Sequence, residues 1–301
     1  MRNRLKKKIY FSDGMLQFVA HAFVIVFALI CLYPLLMTIS VSLSSESEIA
    51  RNGYSVLPQK FTFDTYRYIF VNSGKSILRS YGVTFLITVV GTLGAMAITS
   101  MIAFAISIKS LRYRNVIAFI CNFTIIFPAG LIPWYVACVN YYGLKDNILA
   151  LIIPGIFSVW NMFLMRTYFS AISPSLYEAA RIDGASWFTI YLRIAVPLSK
   201  TAYLTVGLMY ALQYWNDWWY ALIFVKDKDL FPLQYYLYTI LSNVNAISSG
   251  RIPAGASAGM TLPSETIKMA VTIITIGPII FLYPIVQKYF VQGIMTGAVK
   301  E

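Results

Sequence analysis

The chain has 301 residues, of which 58% are hydrophobic and only 12% charged, and its formal net charge is +12. A soluble domain usually carries about 25% charged residues, so this composition excludes an ordinary water-soluble protein and indicates lipid as the solvent. The basic residues lie between apolar segments rather than along one face or tail, which excludes nucleic acid as a partner.

Six apolar segments are long enough to cross a membrane as helices. A span needs about 20 apolar residues, because the hydrocarbon core is about 30 Å thick and an α-helix rises about 1.5 Å per residue. Unpaired backbone groups are costly in lipid, which favours helices over strands or loops. The predicted spans are residues 16–42, 80–108, 115–139, 147–166, 201–225 and 268–288. The predicted fold class is therefore all-α, a polytopic membrane protein with one transmembrane domain over residues 1–301.

Two local features accompany these spans. Residues 61–68, before the second span, are predicted to form a short amphipathic helix at the membrane interface. Prolines within the apolar segments are predicted to kink helices whose freed carbonyls neighbouring helices satisfy. These prolines are Pro34, Pro128, Pro133, Pro154, Pro278 and Pro284.

The placement of Lys and Arg predicts the orientation in the membrane. If the amino terminus is cytoplasmic, 14 of the 24 Lys and Arg residues lie inside, as the positive-inside rule requires. Both termini and residues 167–199 are therefore predicted to be cytoplasmic. The amino-terminal pattern also fits a cleaved signal peptide, but its apolar run is far longer than the usual 7–15 or so residues. A retained first helix is favoured.

The stretch between the fourth and fifth spans differs in character from the spans themselves. Ser175 and Glu178 have the spacing of a capping box, and Asp183 with Gly184 forms a turn pair. A second short helix is predicted to begin near Ser186. Two short helices joined by a glycine bend are too small to bury their apolar faces alone, so they need another surface to pack against.

This stretch also carries a family motif. The motif comprises Glu178-Ala179-Ala180, Gly184 and Ile194-Ala195-Val196-Pro197. It resembles the EAA loop of permeases in ATP-binding-cassette importers, with Val196 in place of the usual leucine. Residues 215–218 and the tail, residues 289–300, are similar to the second permease of the maltose system, in the carbohydrate-importer branch. Residues 48–58 resemble the subgroup that imports oligosaccharides.

The resemblance implies a function in transport. The first short helix would be a coupling helix seated in a groove of an ATPase subunit, and ATP-driven closure of the ATPase pair would switch the bundle between inward-open and outward-open states. The residues implied in coupling are Glu178, Ala179, Ala180, Asp183, Gly184 and Ala185. Glu178 would contact a basic residue, the alanines would permit close approach, and Gly184 would supply the bend. The alternative is that Glu178 only caps its own helix.

The resemblance also implies the partners and the location. The expected partners are an ATPase dimer, a second permease forming a heterodimer with this chain, an extracytoplasmic sugar-binding protein and membrane lipid. The expected location is the bacterial plasma membrane. ATP is expected on the partner ATPase, because the only near match to a phosphate-binding loop here, Gly74-Lys75-Ser76, lacks the required first glycine. No cofactor, metal site or enzymatic activity is expected of this chain.

Residues 215–218, Trp-Asn-Asp-Trp, are the candidate substrate pathway. Aromatic faces stack on sugar rings, while amide and carboxylate groups bind hydroxyls, and Trp215, Asn216, Asp217 and Trp218 provide both. An acid within a span is functional by default. The alternative is an ordinary belt of aromatic residues at the outer interface.

Other interpretations of the chain remain open. Residues 245–257 fit a flexible linker or, by the resemblance, a loop that enters the binding protein's sugar cleft. A secondary transporter usually shows internal repeats and intramembrane charges, and neither is clear here. A membrane-embedded enzyme lacks a nucleophile–base constellation, and a scaffold without a transport role is disfavoured by the EAA motif. Import driven by ATP is the favoured function, with a secondary transporter as the alternative.

Overall fold

The computed structural model describes residues 2–248 and 265–276, which are mostly helical. In chain order the helices are α1 (Arg2–Ser42), α2 (Glu46–Asn52), α3 (Asp64–Ser107), α4 (Arg114–Ile126), α5 (Leu131–Tyr141), α6 (Leu149–Gly155), α7 (Val159–Ser170), α8 (Pro174–Ile182), α9 (Trp187–Leu198), α10 (Lys200–Trp215), α11 (Trp219–Phe224), α12 (Leu233–Ser248) and α13 (265–276). The chain divides into two compact units. The first contains the described residues up to Ser73 and from Leu241 to Ile276, and the second those from Gly74 to Ile240.

The first unit contains the long apolar helix α1 and a set of hydrogen bonds that links α2 to α13. From Gly14 to Pro34 α1 leaves its apolar side chains exposed, which suits a helix surrounded by lipid or by a partner. Between α2 and α13, the Glu46 carboxylate accepts hydrogen bonds from the backbone N–H groups of Glu265 and Thr266 at 3.1 and 3.0 Å. These donors are unpaired at the start of α13, so Glu46 acts as a cap supplied by another helix. A hydrogen bond from Lys268 holds the pKa of Glu265 below its usual range.

Among the described helices, only some of the six predicted spans are long and apolar enough to cross a membrane. Residues 14–42 of α1 and the whole of α3 are each long and apolar enough to cross a membrane. Two further spans are available if each bent pair counts as one, α4 with α5 and α6 with α7, whose axes bend by 116° and 53°. Most of the predicted span at 268–288 lies outside the described residues. The count of six spans stays a prediction.

The predicted interfacial helix at residues 61–68 is wrong, because α3 begins at Asp64 and continues without a break to Ser107. The hydroxyl of Thr62 accepts a hydrogen bond from the Asp64 backbone N–H at 3.1 Å, which satisfies a donor at the helix start. The stretch between Asp64 and the predicted span contains one glycine and no proline. Nothing in the local sequence therefore ends the helix before the apolar segment begins.

The predicted span at 115–139 is broken where Pro128 and Gly130 follow each other closely. Gly130 has φ +85°, a left-handed conformation that glycine adopts without strain. In the span at 147–166, Pro154 lies in a short 3₁₀ segment. The Ile156 N–H there bonds to the Ile153 carbonyl at 3.1 Å, and the Tyr214 hydroxyl donates to the Ile152 carbonyl at 2.8 Å. In a regular α-helix the Ile156 N–H would bond to the Ile152 carbonyl, so the 3₁₀ turn frees that carbonyl. A neighbouring helix satisfies it through Tyr214, as expected for broken helices in membranes.

The predicted span at 201–225 is also interrupted, because α10 ends at Trp215 and α11 begins at Trp219. The Asn216 side chain donates to the Leu212 carbonyl at 2.9 Å, and a carboxylate oxygen of Asp217 accepts from the Tyr220 N–H at 3.4 Å. Short polar side chains that bond to nearby backbone compete with the helix ladder. The same two residues singled out as functional candidates therefore also end one helix and start the next.

The core of the second unit is built around buried tyrosines. The Tyr210 hydroxyl lies 2.7 Å from the Thr99 hydroxyl and accepts from the Ser158 N–H at 2.9 Å. Tyr214, which is 1% exposed, packs directly on α3 at Gly91. A Cβ at Gly91 would lie 2.6 to 2.8 Å from the Tyr214 ring. The helices approach this closely only because residue 91 has no side chain.

Replacing Gly91 with valine is expected to destabilise the protein, because the added atoms would enter the space of the buried Tyr214 ring. Overpacking of this kind typically costs about 1–3 kcal/mol. Gly82→Val is the matched control on the same helix, since a Cβ at Gly82 meets nothing within 4 Å. Thermal unfolding of the detergent-purified protein measures the difference. Equal melting temperatures for the two variants would contradict the close approach of α3 and α10.

Candidate functional site

Helices α8 and α9 form a bent pair joined by a tight turn. The turn is closed by backbone hydrogen bonds from Asp183 to Ala179 at 3.0 Å and from Ala185 to Ala180 at 2.9 Å. Gly184 has φ +81°, a conformation that any L side chain would strain. The Ser186 hydroxyl accepts from the Thr189 N–H at 3.1 Å and caps the start of α9. The predicted two helices with a glycine bend are present.

Arg181 fixes the angle of this bend. Its guanidinium donates a hydrogen bond to the Ala185 carbonyl at 2.9 Å. The same group lies 5.3 Å from the centre of the Trp187 ring, within the range of a cation–π interaction. One side chain therefore bonds to the turn and stacks on the first residue of α9. Sequence reasoning counted Arg181 only as a cytoplasmic charge, because neither contact follows from residue spacing.

The bent pair is anchored to the core of the second unit through one ring, Phe104 on α3. The Phe104 ring contacts the rings of Phe169 on α7, Tyr177 on α8 and Tyr191 on α9, with centroid distances of 5.7, 5.9 and 5.4 Å. The Tyr191 hydroxyl also lies 2.6 Å from the Ser100 hydroxyl. Both short helices are thereby fixed to two of the long helices. We refer to Phe104, Phe169, Tyr177 and Tyr191 as the Phe104 cluster.

The face of α8 opposite the Phe104 cluster is uncovered. Leu176 and Ile182 are 46% and 86% exposed, and Ala179 and Asp183 are exposed beside them. Ala180, by contrast, is half-buried and packs on the core. A small helix that leaves large apolar side chains in water on one face indicates a surface that another molecule covers. Of the two alanines, only Ala179 belongs to that surface.

Glu178 does not cap its own helix. Helix α8 begins at Pro174, its N-cap residue Ser173 makes no side-chain cap hydrogen bond, and the Ser175 hydroxyl bonds instead to that of Ser173 at 2.8 Å. The Glu178 carboxylate is exposed and makes no hydrogen bond or ion pair with any residue in the described ranges. The capping interpretation of the Ser175–Glu178 spacing is therefore wrong. The carboxylate is available to an external cation.

In the second unit, several contacts join charged or polar groups that are predicted to lie on the same side of the membrane. Among those predicted to be outside, Arg79 pairs with Asp229. Asp146 accepts hydrogen bonds from the backbone N–H groups of Lys226 and Asp227 at 2.9 and 2.8 Å. The bonds from Asp227 and then Lys226 hold the pKa of Asp146 below its usual range. These contacts bring together residues that are far apart in sequence and that lie in segments predicted to share one side of the membrane.

Residues 215–218 lie together in the break between α10 and α11. Trp218 is 39% exposed and stacks on Tyr238 with a centroid distance of 5.0 Å, and Asn216 accepts a hydrogen bond from Gln234 at 3.2 Å. The sequence did not indicate Gln234 or Tyr238, because they belong to α12, which lies between the predicted spans at 201–225 and 268–288. These contacts place the stacked rings of Trp218 and Tyr238 close to the hydrogen-bonded amides of Asn216 and Gln234.

Two buried polar atoms in this break have no hydrogen-bond partner in the described chain. They are the indole nitrogen of Trp215 and the second carboxylate oxygen of Asp217. A buried polar atom without a partner costs free energy comparable to a lost hydrogen bond, so each one in a native structure calls for a ligand, a water molecule or local strain to account for it. One donor and one acceptor are thus left for a polar ligand or for water.

The structure is that of a helical membrane protein. Its second unit contains an exposed bent helix pair, α8 and α9, and a helix that is interrupted between α10 and α11. A family model described as "Binding-protein-dependent transport system inner membrane component" matches residues 95–296. The chain therefore belongs to the inner membrane components of binding-protein-dependent transport systems.

Individual relatives cover nearly the whole chain. The polygalacturonan/rhamnogalacturonan transport system permease protein YtcP of Bacillus subtilis is 33% identical, over 96% of this chain and 99% of its own length. Protein LplC of the same organism is 36% identical, over 90% of each chain. Among solved structures, a bacterial ABC transporter involved in the import of the acidic polysaccharide alginate contains a chain that is 34% identical. It superposes with a TM-score of 0.81 and covers 93% of this chain and 98% of its own.

Proposed function

We propose that the chain is the transmembrane permease subunit of an ATP-driven importer of oligosaccharides, and that α8 is the helix through which ATP hydrolysis is coupled to transport. The observation that carries the proposal is the bent helix pair, which exposes apolar side chains and an unpaired carboxylate on one face and is anchored to α3 and α7 on the other. The relatives belong to ABC and binding-protein-dependent systems, which favours ATP-dependent import over a secondary transporter.

The coupling surface consists of the exposed residues of α8 and the turn. In the proposed complex Glu178 pairs with a cation of the ATPase subunit, and Leu176 and Ile182 fill an apolar groove there. Ala179 lets the two backbones approach closely, while Ala180 and Ala185 keep the bent pair seated on its own core. Asp183 and Gly184 hold the turn at the edge of the surface.

The Phe104 cluster provides the path from this surface into the membrane helices. When the ATPase pair closes, α8 moves with it, and Tyr177 and Tyr191 displace Phe104 together with α3 and α7. Interiors are close-packed and switch between discrete arrangements rather than deforming continuously. A small movement at α8 therefore selects between inward-open and outward-open packings of the bundle.

The substrate class follows from the relatives and the interrupted helix. YtcP is named for polygalacturonan and rhamnogalacturonan, and the solved importer for the acidic polysaccharide alginate, so acidic oligosaccharides are the first candidates for this chain. Trp215, Asn216, Asp217 and Trp218 would line their pathway. The unpaired Trp215 nitrogen and Asp217 oxygen would bind sugar hydroxyls, and the Trp218 ring would stack on a sugar face.

The remaining partners complete the importer. They are an ATPase dimer that binds the ATP, a second and different permease, and an extracytoplasmic sugar-binding protein. The chain would lie in the bacterial plasma membrane with six spans and both termini in the cytoplasm. Binding of ATP by the partner leaves this chain without a cofactor of its own.

Copurification and a hydrolysis assay test the proposal together. The tagged chain is expected to purify with an ATPase subunit, and the complex in lipid is expected to hydrolyse ATP faster when the sugar-loaded binding protein is added. A panel of neutral and uronate oligosaccharides identifies the substrate class. Uptake that requires a proton gradient and no ATP would contradict the proposal and favour a secondary transporter.

A further inference from the structure

A basic cavity lies beside the coupling helix, within the second unit. Its volume is about 490 Å³, and α3, α4, α7, α8 and α9 all contribute to its walls. Four cationic side chains line it, together with one acid, Glu178. The cations are Lys109, Arg114, Arg166 and Arg181. Three serines, Ser107, Ser110 and Ser170, add neutral hydroxyls.

Two of these cations are held in the cavity wall without a counter-ion. Arg114 and Arg166 are half-buried, and neither side chain forms an ion pair or hydrogen bond with the described part of the chain. Basic residues at the cytoplasmic side of a membrane protein usually extend into water. Partly burying two guanidinium groups in the wall of one cavity is unfavourable unless an anion accompanies them. The positive-inside rule explains their sign but not their burial in one concave site.

The position of the cavity relative to the membrane follows from the helix ends that line it, those of α3, α4 and α7. Ser107 is the last residue of α3, Arg114 the first of α4 and Ser170 the last of α7, and all three line the cavity. Each of these residues marks the end of a predicted span on the cytoplasmic side. The cavity therefore lies at the level where lipid headgroups meet water, with the apolar side chains of Ile108, Phe169 and Ile172 in its wall.

We propose that this cavity binds the phosphate headgroup of an anionic phospholipid from the cytoplasmic leaflet. Guanidinium groups match phosphate oxygens with paired hydrogen bonds, and basic pockets between membrane helices on this side bind such headgroups. Placing the cavity in the cytoplasmic leaflet rests on the orientation given in the proposed function.

A bound headgroup would also restrain the coupling helix. Arg114 belongs to α4 and Arg166 to α7, whereas Arg181 belongs to α8, so a phosphate bound by these three cations would bridge α8 to α4 and α7. It would neutralise cations that otherwise attract the Glu178 carboxylate, and so leave that carboxylate free for the ATPase subunit. Anionic lipid would in this way stabilise the geometry in which α8 meets its partner.

Native mass spectrometry of the purified full chain tests the site, with lipid nanodiscs of phosphatidylcholine containing or lacking phosphatidylglycerol. Wild-type protein is expected to retain phosphatidylglycerol in preference to phosphatidylcholine. The double variant Arg114→Gln/Arg166→Gln is expected to retain it about 30-fold less, since each of the two cations near an anionic surface contributes on the order of 1 kcal/mol. Exposed Lys109→Gln is a second variant with little risk of misfolding and is expected to show a smaller loss.

Arg193→Gln is the matched control, because it removes the same charge from an exposed position of α9 outside the cavity. It is expected to retain phosphatidylglycerol as wild type does. Equal retention by the double variant and wild type would overturn the proposal. Binding of inorganic phosphate by the wild-type protein, without any preference for phosphatidylglycerol over phosphatidylcholine, would overturn the lipid as the source and identify a free-phosphate site instead. The measurement needs no ATPase or transport, so its outcome is independent of the test of the proposed function.

Discussion

Uptake is expected to be abolished, falling by about 100-fold or more, when Glu178 is replaced with lysine. The exposed carboxylate has no partner in the described chain, so reversing its charge leaves the fold intact and places a cation against the cation proposed in the ATPase groove. Removing one partner of a close interfacial charge pair costs about 2–5 kcal/mol, and a like charge costs more. Radiolabelled oligosaccharide uptake by membrane vesicles measures the effect.

Two controls separate coupling from folding. Glu178→Gln keeps the shape and removes only the charge, so its loss of uptake should be smaller than that of the lysine variant. Gly184→Val is expected to fail differently, because a β-branched residue at φ +81° distorts the turn itself. If the lysine variant reaches the membrane in normal amounts and still transports at the wild-type rate, α8 is not the coupling helix.

Uptake is also expected to fall, by about tenfold or more, when Asp217 is replaced with asparagine. Asparagine keeps an oxygen to accept the bond from the Tyr220 N–H, so the start of α11 should survive. What changes is the second oxygen, which is buried without a partner and which we propose binds a sugar hydroxyl. Hydrogen bonds to charged groups are worth about 1.5–3 kcal/mol.

Asp217→Ala distinguishes the two roles of this residue. Alanine removes both the helix cap and the proposed sugar contact, so it should lower the melting temperature as well as uptake, whereas asparagine should lower uptake alone. Both variants are measured by uptake and by copurification with the ATPase subunit. Unchanged uptake in a fully assembled Asp217→Asn complex would instead favour the aromatic belt at the membrane interface.

The parts of the structure that sequence predicted best are those set by local chemistry. Residues 16–42 form part of one helix because they are a long apolar run without glycine, and their one proline, Pro34, does not break it. The bend at Gly184 follows from the Asp-Gly pair, whose turn preference is intrinsic. The position of Glu178 on an exposed helix face was likewise predictable from its motif.

The parts that sequence could not provide depend on competition between neighbouring groups. Pro128 was expected to kink a continuous span, but together with Gly130 it breaks the helix and turns the chain by 116°. Asn216 and Asp217 were interpreted as ligands within a span, and their bonds to local backbone end it. The role of Arg181 depends on a carbonyl and a ring that only the folded turn brings within reach.

The Phe104 cluster makes the response of the protein depend on the direction of force. Aromatic rings in edge contact resist compression steeply but hold together with only about 1 kcal/mol per pair. A push on α8 toward the bundle is therefore carried by all three rings around Phe104, whereas a pull away from it is carried chiefly by the covalent links at the two ends of α8, residues 171–173 and 183–186. A motor acting on α8 would do mechanical work efficiently in one half of its cycle and let the bundle relax passively in the other.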